Sequence, residues 1–417
     1  VKGITKARVS QKKKVCDYKP SLENIYFDHS ASTHVCKEVL DAMMPYFYED
    51  FGNPNSVHSY GQKAAAAVDS SRRKVADLLG VRPSEIYFTS GGTEAANWVM
   101  KGVPLTREKN EVVVSSIEHP SVLSPAKQLA QKGIKVNFLP VGKNGIVSVD
   151  SLKKVVSNKT ALVSVMLANN EVGTIQPIKE MAKIAKQHNA YFYTDAVQAI
   201  GSIPVDIKDL GVDMLSLSGH KFYGPKGVGA LYVRGGVRLE KLIAGGHQER
   251  TMRGGTTNVP LIIGFALALE RAIKNQKENA ARVKEMRDYF VKEIFAAVDH
   301  ISYNGDRENR LPQNASVTFY FIEGESLLLT LDMAGIACSS GSACSSGSLE
   351  PSHVLVAMGQ KPEEAHGSIR FSFGIHNSKE QIDRAVCVIK ESVAKLREYS
   401  PLWHEFVRAG IDRPKRK

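Results

Sequence analysis

No stretch of the 417-residue chain approaches the roughly 18 consecutive apolar residues that a bilayer-spanning helix requires. The first residues hold no apolar segment ending in a small-residue cleavage site, so secretion is not expected. Cysteine is scarce: Cys16, Cys36, Cys338, Cys344 and Cys387 are odd in number and lack CxxC spacing, which argues against a disulfide framework and for free thiols in a reducing compartment. Cys338 and Cys344 with His353 match no ordinary zinc spacing, and no metal is expected. Also missing are aromatic residues interleaved with basic ones and any nucleic-acid-binding motif. The net charge of +12 therefore implies acidic partners in general and not nucleic acid. Much of that excess is terminal, with Lys2, Lys6, Arg8, Lys12, Lys13, Lys14 and Lys19 facing Asp17 alone, and Arg413, Lys415, Arg416 and Lys417 at the other end. These read as solvated tails.

With 43% hydrophobic and 24% charged residues, the chain can bury substantial cores and is long for one compact domain. From about residue 60 to 235, short apolar runs alternate with helical patterns, the signature of a mostly parallel sheet covered by helices. The expected strands are Glu85–Thr89, Glu111–Ser115, Lys135–Leu139, Ala161–Met166, Ala190–Thr194, Met214–Leu217 and Gly229–Val233. Ala266–Val298 reads as one or two helices leading to a second domain of isolated strands and helices, with a polar Ser339–Ser348 stretch and a terminal helix around Glu380–Glu398. The expected division is a basic extension (1–24), a large domain (25–275) and a smaller one (276–417). In open α/β sheets ligands bind beyond the carboxyl ends of strands, so the residues that follow these strands carry the chemistry.

Four segments stand out. Ser90-Gly91-Gly92-Thr93-Glu94 joins a strand to a helix, either as an ordinary tight turn or as a phosphate cup of backbone N–H groups. Asp195 ends a strand, either as a helix cap or as the partner of a pyridinium nitrogen. Lys221, in Ser218-Gly219-His220-Lys221, is either a solvated lysine or one whose pKa is lowered by desolvation and cationic neighbours for Schiff-base chemistry. Cys344 lies in Ser339-Ser340-Gly341-Ser342-Ala343-Cys344-Ser345-Ser346-Gly347-Ser348, either a plain linker or a mobile loop displaying a reactive thiol. Cys338, beside Ile336 and Ala337, better fits a buried small hydrophobe.

Ten ordered motifs between about Ile25 and Asp412 resemble the cysteine desulfurases of the iron–sulfur assembly and nitrogen-fixation types, members of the class V branch of the fold type I pyridoxal-phosphate enzymes. They are Tyr26 to Thr33, Phe51 to Ser56, Phe88 to Glu94, Glu118-His119-Pro120, Asn169 to Gly173, Asp195 to Gln198, Ser218 to Lys221, Arg253 to Thr256, Ser340 to Pro351 and Ser368-Ile369-Arg370. The resemblance implies a large domain with a mostly parallel seven-stranded sheet between helices, plus a smaller α+β domain. It implies pyridoxal 5'-phosphate bound to Lys221 as a Schiff base, His119 stacked on the ring and moving protons, and Asp195 on the pyridinium nitrogen. Gln198 and Asn170 would contact the ring oxygen and the substrate side. Gly92, Thr93, Ser218 and His220 would hold the phosphate, with Thr256 supplied by the other subunit of a homodimer, and Arg370 would clamp the substrate carboxylate. Cys344 would attack the sulfur of L-cysteine, release L-alanine and carry sulfur as a persulfide to an iron–sulfur scaffold protein or another acceptor.

Ser32 and His34 stand where the family commonly has Thr and Pro, and neither change removes a needed functional group. The segment from Cys344 to His353 is closer to the nitrogen-fixation type, whereas Ser400-Pro401-Leu402-Trp403 and Gly410-Ile411-Asp412 are closer to the general assembly type. Selenocysteine lyase activity and an inactive partner subunit are the competing functions. Cys344 argues against the first and the joint presence of Lys221, His119, Asp195 and Arg370 against the second. The expected compartment is the cytoplasm, with the matrix of a mitochondrion or related organelle as the alternative.

Overall fold

A computed structural model describes residues 23–103, 109–341 and 350–409. Its strands are β1 (Ile25–Tyr26), β2 (Ile86–Thr89), β3 (Glu111–Ser115), β4 (Lys135–Leu139), β5 (Thr160–Ser164), β6 (Tyr191–Asp195), β7 (Met214–Ser218), β8 (Gly229–Val233), β9 (Ile301–Tyr303), β10 (Asn314–Phe319), β11 (Ile336–Ala337), β12 (Ser339–Ser340) and β13 (Ser368–Ser372). β2 to β8 form one sheet in the order β2-β8-β7-β6-β5-β3-β4, in which only β8 runs against its neighbours. All seven strands expected from the sequence are present, and their ends shift by no more than a residue or two.

Both faces of this sheet are covered, which is why its strands read as nearly continuous apolar runs. The strict two-residue alternation of strand side chains divides them between two cores. Val113, Val163, Phe192 and Leu215 pack with Val75 and Leu79 of helix Ser59–Leu79 and Phe265 and Leu269 of helix Val259–Lys274. Val112, Val114, Tyr193 and Met214 face the other way, onto Trp98 of helix Gly92–Gly102 and Val122 and Leu129 of helix Pro120–Gln131.

The connector reads in the structure as two helices, Val259–Lys274 and Gln276–Ala297, broken at Asn275. Beyond it lies a separate hydrophobic cluster in which Phe290, Phe319, Phe371 and Phe373 pack with Ile389 and Val393 of helix Lys379–Glu398. This cluster lies on a four-stranded antiparallel sheet of order β12-β13-β10-β9. Truncating a buried aromatic such as Phe371 to alanine costs about 3–5 kcal/mol. Ile25 and Phe27 belong to the same cluster, and β1 pairs with β11, so the chain starts its described course on the second core before entering the first. Ser339 and Ser340 are a strand and not loop, because backbone bonds to Ile369 and Arg370 supply what their small side chains cannot. Among the described residues no helix is long and apolar enough to cross a membrane.

Candidate active site

Two adjacent parallel strands near the middle of the large sheet, β6 and β7, end at residues singled out by the sequence. β6 ends on Asp195, which is buried, and whose Oδ1 accepts the Val197 N–H at 2.9 Å. Burial pushes this carboxyl up to about 6, against the pull of the Val197 N–H, the Lys221 charge and the Ser216 hydroxyl. β7 ends on Ser218, and the chain turns through a single 3₁₀ turn, Gly219–Lys221. Lys221 Nζ donates to the carbonyl oxygens of Ser30 at 2.6 Å and Ala31 at 2.9 Å, and Gln198 Nε2 donates to the same Ser30 oxygen at 2.9 Å.

The turn after Lys221 is strained. Tyr223 has φ of 64°, a left-handed conformation that costs a bulky residue on the order of 1–3 kcal/mol. Three contacts hold it there: its N–H donates to Thr33 Oγ1 at 2.8 Å, its carbonyl accepts the Cys36 N–H at 3.1 Å, and its hydroxyl accepts the Ile375 N–H at 3.0 Å. The residues from Ser30 to Cys36 thus fasten the lysine turn from across the site.

His119 follows β3 and caps helix Pro120–Gln131. Its Nδ1 accepts the Ser121 N–H at 3.1 Å, so the neutral ring carries its proton on Nε2. Burial first, and then the charges of Lys221, His353 and Arg370, lower this imidazole to about 4. His220, at 3.3 Å from Ser32 Oγ, is likewise lowered to about 4 by burial and by Lys221 and Lys226.

At β2 the chain passes through Gly91, whose φ of 154° and ψ of −176° suit only glycine, into helix Gly92–Gly102. The close approach also depends on Gly229 of β8, where a Cβ would lie 2.8 Å from Gly91 Cα. Not every N–H of the expected cup is available. Ser90 N–H is spent on Glu94 Oε2 at 2.9 Å and Gly91 N–H on Thr89 Oγ1 at 3.3 Å, while Arg253 neutralises Glu94 at 2.8 Å. Gly92 and Thr93, first in the helix, keep N–H groups with no acceptor inside it.

Arg370 comes from β13 of the second sheet and is buried. Its Nη2 pairs with Asp28 Oδ1 at 2.9 Å, its Nη1 donates to the Asn170 carbonyl at 3.1 Å, and its enclosed Nε has no acceptor among the described residues. Asn170 lies in a loop tied by Asn169, whose Oδ1 accepts the N–H groups of Glu171 at 2.8 Å and Val172 at 3.0 Å.

Residues 25–385 match the Aminotransferase class-V family. The chain belongs to this family. A relative called cysteine desulfurase IscS, from Methanosarcina thermophila, is 50% identical over 386 residues, covering 92% of this chain and 95% of the relative. A solved NifS-like protein superposes with a TM-score of 0.85 at 41% identity, covering 89% of this chain and all of that one. A second solved structure, SspA in complex with cysteine, has a TM-score of 0.75 at 36% identity and covers 85% of this chain and all of that one.

Class-V enzymes of the desulfurase group work with pyridoxal phosphate, and the residues present fit that group. A buried carboxylate raised by desolvation gains from a cationic ring nitrogen, and the cradle at Gly92 would be filled by a Cβ, which would lie 2.8 Å from Val197 Cγ2. The N–H groups of Gly92 and Thr93, which have no acceptor inside the helix, suit a phosphate together with the helix dipole. Thr256 is exposed, and among the described residues no hydrogen bond joins it to Lys221, Asp195 or His119. Cys344 lies outside the described residues. Cys338 is only partly exposed, and burial pushes its thiol up, so it is held as the unreactive SH form.

Two groups that sequence reasoning passed over stand in the same site. Glu118 is fully enclosed; its Oε1 accepts from Ser115 Oγ and, at 2.7 Å, from the Met166 N–H, and its Oε2 has no partner among the described residues. Burial raises it to about 8, with Asp195 adding to the rise. Glu171 accepts from Ser352 Oγ and is raised to about 7 by burial. Both lie inside quoted motifs, but nothing in the sequence distinguishes an enclosed glutamate from a solvated one.

Proposed function

We propose that this class-V chain is a cysteine desulfurase that converts L-cysteine to L-alanine and keeps the sulfur as a persulfide on Cys344, for delivery to an iron–sulfur scaffold or another acceptor. The observation that carries this reading is that Lys221 and Gln198 meet on the Ser30 carbonyl, while Asp195 and His119, from strand ends of one sheet, lie near enough to feel the Lys221 charge, and His119 that of Arg370 as well. Lys221, Asp195, Gln198, Ser218, His220, Gly92 and Thr93, with Thr256 from a second copy of the chain, would hold pyridoxal phosphate. That group, when bound, supplies an electron sink for the substrate Cα.

Arg370 grips the carboxylate of L-cysteine, and the Asn170 side chain closes the substrate side. Lys221 moves the proton at Cα, and neutral His119, its Nε2 protonated, serves as a nearby proton carrier. The Cys344 thiolate bonds to the substrate sulfur as the carbon–sulfur bond breaks, and the electron pair left on carbon takes up a proton. Enzyme thiol and L-cysteine thus become enzyme persulfide and L-alanine with no outside oxidant or reductant. The division at 275/276 is proposed with it, because the helix break at Asn275 separates the two hydrophobic clusters apart from Ile25 and Phe27, which pack in the second, and Leu311, which packs in the first.

Holoenzyme and Cys344→Ala, each given L-cysteine and a reductant, are compared for sulfide and alanine. Loss of the positioned nucleophile is expected to lower both by about 100-fold or more. Equal output from the two proteins would refute the persulfide route.

A further inference from the structure

β3 and β5 pair in parallel as far as Val114 and Ser164. Past that point the chain continues through Val165, Met166 and Leu167, and successive N–H groups of an extended chain point to opposite sides. Val165 N–H donates to the Tyr193 carbonyl at 3.2 Å and Leu167 N–H to the Asp195 carbonyl at 2.9 Å, both on β6, so Met166 N–H is directed toward β3. The acceptor it meets there is not a strand carbonyl but Glu118 Oε1, at 2.7 Å. Ser115 Oγ, at the end of β3, donates to the same oxygen. A side chain thus continues the ladder where the two backbones part.

The turn that carries Glu118 also carries His119. Ser116 N–H donates to the Leu139 carbonyl at 3.0 Å, Asn169 Nδ2 to the Ile117 carbonyl at 2.9 Å, and His353 Nε2 to the Glu118 carbonyl at 3.0 Å. On the β5 side, the neighbouring N–H groups of Met166 and Leu167 rest on Glu118 and on Asp195. The imidazole assigned to the face of the ring and the carboxylate assigned to its nitrogen are therefore referenced to adjacent peptide units. Burial raises Glu118 to about 8, so it accepts these bonds as a neutral acid and adds no second negative charge beside Asp195. Removing the acceptor would leave a buried N–H unmet at Met166 and free the turn to shift.

We propose that Glu118 is a positioning residue for His119: resting on the desulfurase reading above, its buried carboxyl ties the turn after β3 to Met166 and so holds the His119 imidazole in register with Asp195.

The experiment uses holoenzyme, Glu118→Met, Glu118→Gln, His119→Ala and the double variant Glu118→Met/His119→Ala. Single-turnover formation of L-alanine from L-cysteine is one readout, and the absorbance maximum of the bound cofactor before substrate is added is the other. Glu118→Met keeps the length of the side chain without the acceptor. Misplacing a reacting group by about an ångström slows reaction up to about 100-fold, so this variant is expected to form alanine about 10- to 100-fold more slowly. Its cofactor band should move in the same direction as that of His119→Ala. Because an absent imidazole cannot be misplaced, the double variant should be within about threefold of His119→Ala alone, the non-additivity of two residues that act as one. Glu118→Gln, neutral and still an acceptor, should recover most of the rate and the wild-type band. If Glu118→Met does not fold, Ser115→Ala, which removes the other donor to Oε1, decides by the same cycle. A double variant slowed by the full product of the single effects, or a Glu118→Gln as slow as Glu118→Met, overturns the role of Glu118 and leaves the desulfurase standing. A wild-type holoenzyme that forms no alanine from L-cysteine overturns the desulfurase itself.

Discussion

On the floor of the site, Asp195 and Ser218 are the last residues of adjacent parallel strands and His119 stands four residues beyond a third, whereas at the rim Arg370 meets Asp28 across 342 residues and Glu171 meets Ser352 across 181. A floor residue is positioned by the hydrogen-bonded ladder beneath it, and its neighbours follow from strand order. A rim residue is positioned only when distant parts of the chain have packed. The floor suits groups that must not move relative to one another, and the rim suits groups that recognise what enters and pass something out.

The floor and rim should fail differently. On the floor, Lys221→Ala is expected to abolish the cofactor band that borohydride reduction removes in wild type, and to lower alanine formation at least about 10²–10⁴-fold, the range for loss of a positioned proton carrier. A variant that kept both would remove Lys221 from the chemistry. At the rim, Arg370→Lys keeps the charge but loses the planar fork, so one charge-assisted bond worth about 1.5–3 kcal/mol goes. Half-saturating L-cysteine should rise about 10- to 100-fold with a smaller fall in kcat, and a fall confined to kcat would move Arg370 from the rim to the floor.

The smallest effect tests the electrostatics beneath the floor. Glu118 has a folded pKa of about 8 against 4.5 for an ordinary glutamate, so between these values the folded protein holds the extra proton. Its contribution is complete below about pH 4.5 and fades as pH rises toward 8. His119 runs the other way: lowered from 6.5 to about 4, it destabilises the fold as pH falls through that window. Glu118→Gln, always neutral, should therefore gain stability relative to wild type between pH 5 and pH 8, by on the order of 1 kcal/mol or more in denaturant midpoints. A difference that does not vary with pH would mean that Glu118 is ionised throughout.

The seven strands of the large sheet were legible because both of its faces are buried, which leaves short apolar runs of β-branched and aromatic residues between turn signals. Asp195, Ser218, His220 and Lys221 were legible for the same reason, since each sits at or just beyond such a run. Thr93 and Gly92 could be picked out of the glycine-rich join, but not the loss of the Ser90 and Gly91 N–H groups to Glu94 and Thr89, which depends on side-chain direction. Ser339 and Ser340 read as loop because a two-residue strand held by backbone bonds leaves no apolar mark.

The chain's order of residues determined the sheet, the place of each floor group at a strand end, and the presence of one lysine, one carboxylate and one imidazole spaced to meet there. These are local consequences of periodicity and turn chemistry, and they need no knowledge of distant contacts. Only the tertiary structure decided that Ser30 and Ala31 receive the lysine, that Thr33 holds Tyr223 in a strained turn, that Asp28 backs Arg370, and that Glu171 meets Ser352. Those pairings depend on burial and on which distant segments share a cavity. A carboxylate looks the same in sequence whether water or a second chain segment surrounds it.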